Sequence, residues 1–467
     1  MGDFYTRLCA NVIFPLHERL KGHRSVAMLR ELMRTQWYDR ERLQRLQLER
    51  LRGLLAFAGE HVPYYRETFA RARFDPRRVE RIEDLRRLPI LTKDIIRVEG
   101  DRMGTEAAKR LPWQYTTGST GNPLRFKTGI GRKSADVAAK WRATRWWGVD
   151  IGDPEIVCWS SPIEIKAQDR LRELRDRLLR TRTMSTMALT TERMDEVIAE
   201  IRRMRPKMLF GYPSSLALVA QRAIERGMDL TRQGIKVAFA TAERLYPYER
   251  DWIERGFGCP VANGYGGRDS GFIAHQCPHG GLHITAEDMI VEIVDEQGRP
   301  LPPGEPGEVL ITHLHSHDFP FIRFKNGDIA ALDDTPCLCG RGLPLIKEIQ
   351  GRSLDLLYAH NGARVHAVTF GALLRRLPGM RQFKVIQESL ERIRLQLVVT
   401  DEFDARAAMP KIVEQFRYFL GPVQVEPEFL DRIEPEPTGK YAYVVTRIKT
   451  PPQAPAAGSP VTLTSEV

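Results

Sequence analysis

The spacing of apolar positions changes along the chain. Over residues 1–110, Leu and Arg recur at intervals of three and four, as in LRELMRTQWYDRERLQRLQLERLRGLLAF. This predicts amphipathic helices, broken at Pro63, Pro76 and Pro89. From about 111 to 330, short β-branched or apolar runs (EIVCW, KMLF, IKVAFA) alternate with longer amphipathic stretches such as TERMDEVIAEIRRMR and SSLALVAQRAIERG. That alternation predicts strands joined by helical crossovers, hence an α/β core. MIVEIVD, the turn-rich EQGRPLPPGEPGE and VLITHLH then predict a β-hairpin. Beyond about 355, strand-like LQLVVT and helix-like AAMPKIVEQFRYFL predict a compact α+β domain, and TPPQAPAAGSPVTLTSEV buries too little to fold.

The expected organisation is therefore a helical part of a large domain over 1–110, its α/β core over 111–351, a small α+β domain over 352–448 and a disordered tail over 449–467. A chain of 467 residues exceeds one ordinary domain, and 42% hydrophobic residues can supply its core. No stretch approaches the roughly 20 apolar residues that cross a bilayer, and the amino-terminal segment is interrupted by Asp3, Arg7, His17, Glu18 and Arg19. A cytoplasmic protein is expected, with no transmembrane segment.

Lys plus Arg is 71 against 60 Asp plus Glu, a net charge of +11 that favours anionic partners. Much of the excess is Arg interleaved with Asp and Glu in runs such as DRLRELRDRLLRTR, which reads as solvated helix face. No aromatic-rich basic stretch marks a nucleic-acid platform, so no nucleic acid is expected. The oligomeric state stays open, a homodimer included.

Six cysteines in so long a chain argue against a disulfide framework. Cys9, Cys158 and Cys259 stand among apolar or small residues and read as small buried hydrophobes. Cys277, His283, Cys337 and Cys339 differ. Their C-x5-H and C-x-C pattern offers three thiolates and an imidazole, a sufficient set for a closed tetrahedral Zn²⁺ site inserted in the core, with His279 and His275 as rival ligands. His313, His315 and His317 alternate at strand spacing, which puts three imidazoles on one face. Beside Asp318 they read as exposed or hydrogen-bonded strand residues rather than a metal site.

The sharpest chemical signal is Tyr115-Thr-Thr-Gly-Ser-Thr-Gly-Asn-Pro123, where two glycines sit among hydroxyl side chains. Backbone N–H groups of such a loop can surround a phosphate, although no Lys follows as in a Walker loop. TTGSTGNP resembles the phosphate loop of adenylate-forming ligases, in the phenylacetate-CoA ligase and CapK-like branch. AGEHVPYYRETF, LRRLPILTKDII, FGYPSSLA, ATAERLYP, NGYGGRDSG, GLHITAED, FIRFKNGDIA, GRSLD and EPTGK continue the resemblance in order, from about residue 50 to 445.

The resemblance implies a large amino-terminal domain and a small mobile carboxy-terminal one, hinged around Arg352 to Asp355. It implies ATP-dependent activation of a carboxylic acid as its acyl-AMP, then thioester formation with CoA, with Tyr212 and Tyr265 as walls suited to an aromatic or flat acid. Thr116, Thr117, Gly118, Ser119, Thr120 and Gly121 would cradle phosphate, Asp328 would accept from the ribose hydroxyls, and Arg352 would add a ribose or phosphate contact. Tyr265 and Gly266 would lie beside the nucleotide, and Lys440 would reach the carboxylate and α-phosphate. Where the family commonly has Tyr-Gly-x-x-Glu, this chain has Tyr265-Gly-Gly-Arg-Asp269. Asp is one methylene shorter, so its contact with Mg²⁺ is put in doubt, and Arg268 adds a competing charge. Tyr212, Ala240 and Gly264 mark the acid pocket. A structural zinc is found in some members of the branch. Two alternatives stay open: an amine, alcohol or carrier thiol as acceptor, and a catalytically silent zinc-stabilised binding protein.

Overall fold

The computed structural model describes residues 3–116, 124–159, 170–186, 190–352, 356–361, 364–366, 370, 374, 377–434 and 443–448. The predicted amino-terminal helices form as Ser25–Thr35, Arg40–His61 and Pro63–Arg71. Asp39 caps the long helix, its carboxylate accepting from the Arg42 amide at 2.7 Å. Pro63 occupies the first turn of the next helix, where its missing N–H costs nothing. Leu51, Leu54, Leu55 and Ala58 line the buried face of the long helix and pack with Phe69, Phe319, Phe321 and Phe324.

Behind these helices runs a mixed sheet of eleven strands among the described residues. Thr181–Ser185, Glu155–Trp159, Met208–Gly211, Val237–Thr241 and Val261–Gly267 are parallel neighbours in that order. Met208–Gly211 and Val237–Thr241 are buried at every position, as expected of strands covered on both faces by crossover helices. Thr191–Met204, Pro213–Glu225 and Pro247–Phe257 are those crossovers. Gly271–Gln276 turns back antiparallel on Val261–Gly267. The sheet continues through Leu282–Ile284, Leu345–Arg352 and Phe324–Asp333 to the anticipated hairpin, Met289–Val294 paired with Gly307–His313. The fold class is α/β, as the alternating pattern predicts.

Two readings need correction. DRLRELRDRLLRTR is not helical throughout: the helix Arg170–Leu178 stops, Arg180 takes a left-handed conformation (φ 56°), and Thr181–Ser185 joins the sheet as an edge strand. The strand Gly307–His313 ends at its histidine, so the three alternating imidazoles share no strand face. His313 is buried rather than exposed.

The chain divides into two compact units, with the boundary at Gly351 and Arg352. In the second, Gln424–Phe429, Arg392–Val399, Met380–Gln387 and Val444–Thr446 form a four-stranded sheet in that order. The helix Ala405–Leu420 buries Ile412 and Phe416 in one cluster with Leu395 and Leu397 of the sheet. The tail over 449–467 lies outside the described residues. Among the described residues no helix is long and apolar enough to cross a membrane. Some of the arginine sits in helix-surface pairs, such as Arg203 with Glu200 at 2.6 Å.

Candidate active site and cysteine cluster

In a parallel α/β sheet, ligands sit outside the carboxyl ends of the strands, because the crossover loops and helix amino termini converge there. Tyr265 lies near that end of Val261–Gly267, and its hydroxyl donates to Asp328 Oδ2 at 2.9 Å. Asn326 Nδ2 donates both to the Tyr265 oxygen (2.9 Å) and to Asp328 Oδ2 (2.8 Å). The Asp328 amide in turn donates to Asn326 Oδ1 at 3.0 Å. Gly327 between them has φ 92°, a conformation that favours glycine, within the bulge where the register of Phe324–Asp333 against Gly307–His313 shifts. Lys93 Nζ donates to the Asn326 carbonyl at 2.6 Å. Burial, reinforced by the Asp328 charge, holds the Tyr265 phenol well above its ordinary pKa. The phenol therefore remains a donor, and Asp328 is presented by a fixed network. Asn326 and Lys93 were not anticipated. For Asn326 the one sequence signal is KNGD, where an Asn two residues before an Asp in a Gly turn suits local hydrogen bonding.

Asp269 sits half-buried in the turn between Val261–Gly267 and Gly271–Gln276, and its Oδ1 accepts from Ser270 Oγ at 3.0 Å. The turn is anchored from behind. Arg132, 2% exposed in the helix Ile130–Trp146, donates from NH2 to the Arg268 carbonyl at 2.9 Å. Arg268 NH1 donates to the Tyr115 carbonyl at 3.2 Å, so this guanidinium ties the turn to the strand entering the Gly/Ser/Thr loop. Gly266 is required: a Cβ there would stand 2.3 Å from the Gly271 carbonyl oxygen.

Thr116 closes the neck of that loop. Its amide donates to the Leu124 carbonyl at 2.9 Å, and its hydroxyl accepts from the Leu124 amide at 2.9 Å. The flanking pairs Gln114 with Phe126 and Tyr115 with Arg125 are antiparallel. Thr117, Gly118, Ser119, Thr120, Gly121 and Lys440 lie outside the described residues, as does the side chain of Arg352.

At the ends of the neighbouring strands, the Trp159 and Tyr212 rings stack at 4.8 Å and 20°. Burial, with the Glu243 charge, raises the Tyr212 phenol. Ser214 Oγ donates to Glu243 Oε2 at 2.6 Å, and Thr241 Oγ1 donates to the Gly264 carbonyl at 2.8 Å. Ala242 takes φ 71°, strained for a residue with a side chain, at the point where the chain leaves the strand Val237–Thr241. Ala240 differs from the expectation of a wall residue: it is fully buried, its methyl in the core packed by Val219 and Ile253.

Far along the sequence, a second cluster forms. Cys277, His283, Cys337 and Cys339 bring their ligand atoms within 4.8 Å of one another. Cys277 Sγ lies 3.6 Å from Cys337 Sγ, and Cys339 Sγ lies 3.2 Å from His283 Nε2. The sulfur separation is far beyond a disulfide bond. It is close to the roughly 3.8 Å that two thiolates subtend at a tetrahedral Zn²⁺. His283 Nδ1 lies 3.4 Å from the Leu343 carbonyl, a backbone partner that leaves Nε2 turned toward the sulfurs. A Cβ at Gly281 would stand 2.6 Å from Cys337 Sγ. The rivals stand apart from the set: His279 is exposed in the turn, and His275 is buried between the rings of Phe272 and Phe239. Cys9, Cys158 and Cys259 are free and buried.

Residues 106–315 match the AMP-binding enzyme family, and residues 357–447 match the CapK C-terminal domain. The chain is 23% identical over 408 residues to protein CapK of Staphylococcus aureus, covering 86% of this chain and 89% of that one. It is 26% identical over 390 residues to the phenylacetate-coenzyme A ligase of Thermus thermophilus, covering 78% and 83%. In fold it is similar to 2-hydroxyisobutyryl-CoA ligase in complex with R3-HIB-AMP, with a TM-score of 0.72 and 20% identity over 87% of this chain and 90% of that chain. With the two matched regions in order along one chain, the protein belongs to the adenylate-forming ligases, in the phenylacetate-CoA ligase and CapK-like family.

Proposed function

We propose that the protein couples ATP to a carboxylic acid and passes the acyl group to the thiol of CoA. In the first step a carboxylate oxygen bonds to the α-phosphorus while its bond to the bridging oxygen breaks, and pyrophosphate leaves. In the second the thiol sulfur bonds to the acyl carbon, AMP leaves and the thiol proton is released. The observation that carries this reading is the network of Tyr265, Asn326 and Asp328, which holds a carboxylate in one orientation at the carboxyl edge of the sheet of an AMP-binding enzyme. A fixed carboxylate of this kind is suited to a pair of ribose hydroxyls.

Around it, the loop Thr116 to Gly121 would donate to phosphate oxygens, Arg352 would add a ribose or phosphate contact, and Lys440 would reach the carboxylate and α-phosphate. Asp269 is the residue present to hold Mg²⁺, which would neutralise phosphate charge. The engagement of Arg268 with the Tyr115 carbonyl supports this, because it gives that guanidinium a partner other than Asp269. The stacked Trp159 and Tyr212 favour a flat, aromatic acid. The soft donor set of Cys277, His283, Cys337 and Cys339 fits Zn²⁺ in a closed, structural role.

The test is acid-dependent pyrophosphate release across aromatic, fatty and amino acids, followed by weighing the products formed with CoA, amines and alcohols. A CoA thioester of one acid, abolished by Lys440→Ala, is expected. Release unchanged by Lys440→Ala would sink the assigned lysine. Product appearing only with an amine, an alcohol or a carrier thiol would move the acceptor. No ATP turnover with any acid would leave a silent binding protein.

A further inference from the structure

We infer that Asp136, Asp288 and His313 form a second cation site, distinct from the cysteine cluster and from the nucleotide pocket. Each offers one ligand atom, and the three atoms lie within 4.8 Å of one another. His313 Nε2 stands 3.4 Å from Asp288 Oδ2 and 3.9 Å from Asp136 Oδ1. The imidazole is 1% exposed, and neither ring nitrogen makes a hydrogen bond. A buried imidazole that faces two carboxylates without a hydrogen bond to either is costly, and a cation between the three side chains would satisfy them together.

Space for the ion depends on a glycine. A Cβ at Gly271 would stand 2.7 Å from Asp136 Oδ1 and 3.0 Å from His313 Nε2, so any side chain there would fill the gap. The surrounding polar groups leave the remaining lone pairs in place. Asp288 Oδ1 pairs with His315 Nδ1, and Asp136 Oδ1 also accepts from the Phe272 amide at 3.2 Å. Arg132 Nε lies 3.7 Å from Asp136 Oδ2 and competes for it, as Arg50 and a protonated His315 do for Asp288. A small cavity lined by Met28, Glu31, Arg50, Asp288 and His315 lies on the Asp288 side.

Two carboxylates with one imidazole suit a hard divalent ion such as Mn²⁺, whereas the cysteine set prefers a thiophilic one. The ion would join the helix Ile130–Trp146 to the end of the strand Gly307–His313 and to the chain just before Met289–Val294. Binding to the folded state alone would raise its stability with concentration.

The experiment titrates the metal-stripped full chain with Mn²⁺ in the absence of nucleotide, following free Mn²⁺ by electron paramagnetic resonance and unfolding by thermal scan. Saturable binding with a rise in Tm is expected in the native chain, in Cys337→Ser and in Asp269→Asn. His313→Gln and Asp136→Asn should weaken binding roughly tenfold or more and abolish the rise, as loss of a ligand or its support does. Should His313→Gln fail to fold, Asp136→Asn, whose carboxylate is partly exposed, decides alone. The inference is overturned if the native chain takes up no Mn²⁺, if the folded ligand variants bind as tightly as the native chain, or if Asp269→Asn removes the binding.

Discussion

The Tyr265 hydroxyl donates to Asp328 Oδ2 at 2.9 Å, joining two residues 63 positions apart. Because Asn326 donates to both oxygens, removing the phenol leaves an amide proton and a carboxylate oxygen each short of a partner. A hydrogen bond to a charged group contributes about 1.5–3 kcal/mol. Tyr265→Phe is therefore expected to raise the KM for ATP roughly tenfold or more, with a smaller effect on the KM for the acid. Equal KM values for ATP in both proteins would remove the network from nucleotide binding.

Gly266 has no room for a side chain beside the Gly271 carbonyl. Gly266→Ala should cost roughly 1–3 kcal/mol, the usual range for overpacking. It should also shift the turn that carries Asp269. Denaturant midpoints measure the first effect, and pyrophosphate release at saturating ATP measures the second.

Arg142 and Glu287 form an ion pair at 2.7 Å with both side chains fully buried, and Thr35 Oγ1 donates to the same Glu287 oxygen at 2.9 Å. Breaking such a pair from one side strands a charge, at about 3–5 kcal/mol. Glu287→Gln should show this loss in chemical denaturation, and Arg142→Met with Glu287→Met should recover part of it. A single variant as stable as the native chain would contradict the geometry.

Metal removal gives a separate readout. The purified chain is expected to carry one zinc by elemental analysis, lost in Cys337→Ser together with a lower Tm. Chelation should expose Cys337 and Cys339 to iodoacetamide. A native chain without zinc whose cysteines alkylate at once would refute a metal-held cluster.

Burial pushes the Cys158 and Cys259 thiols up to about 12 from an ordinary value of 9.0. The folded chain thus keeps both protons between pH 9 and 12, where the unfolded chain releases them, so stability falls as pH rises through that window. Below pH 9 both states are protonated and the thiols make no difference. Native protein at pH 8.5 should leave both cysteines unalkylated, and Cys158→Ala with Cys259→Ala should flatten the alkaline decline in Tm.

Much of this arrangement was legible because it depends on local chemistry. The buried parallel strands announce themselves as unbroken apolar runs, and the cysteine set by residue type. His283, preferred to its rival His279 on sequence, sits in the strand Leu282–Ile284 with Nε2 3.2 Å from Cys339 Sγ, a placement that residue spacing alone does not explain. Thr181–Ser185 escaped notice because Arg and Thr at an edge look like a continuing polar helix. Arg132 and Asp136 were invisible for a similar reason. In an Ala- and Arg-rich segment they read as solvated, and only the approach of the turn at Arg268 and Phe272 reveals that they face inward.

The reciprocal bonds between Thr116 and Leu124 act as a clasp on the hairpin. With Thr116 held to Leu124 through both its amide and its hydroxyl, the register of Gln114–Tyr115 against Arg125–Phe126 is locked by one residue's backbone and side chain together, in a two-stranded ladder of its own rather than in the eleven-stranded sheet.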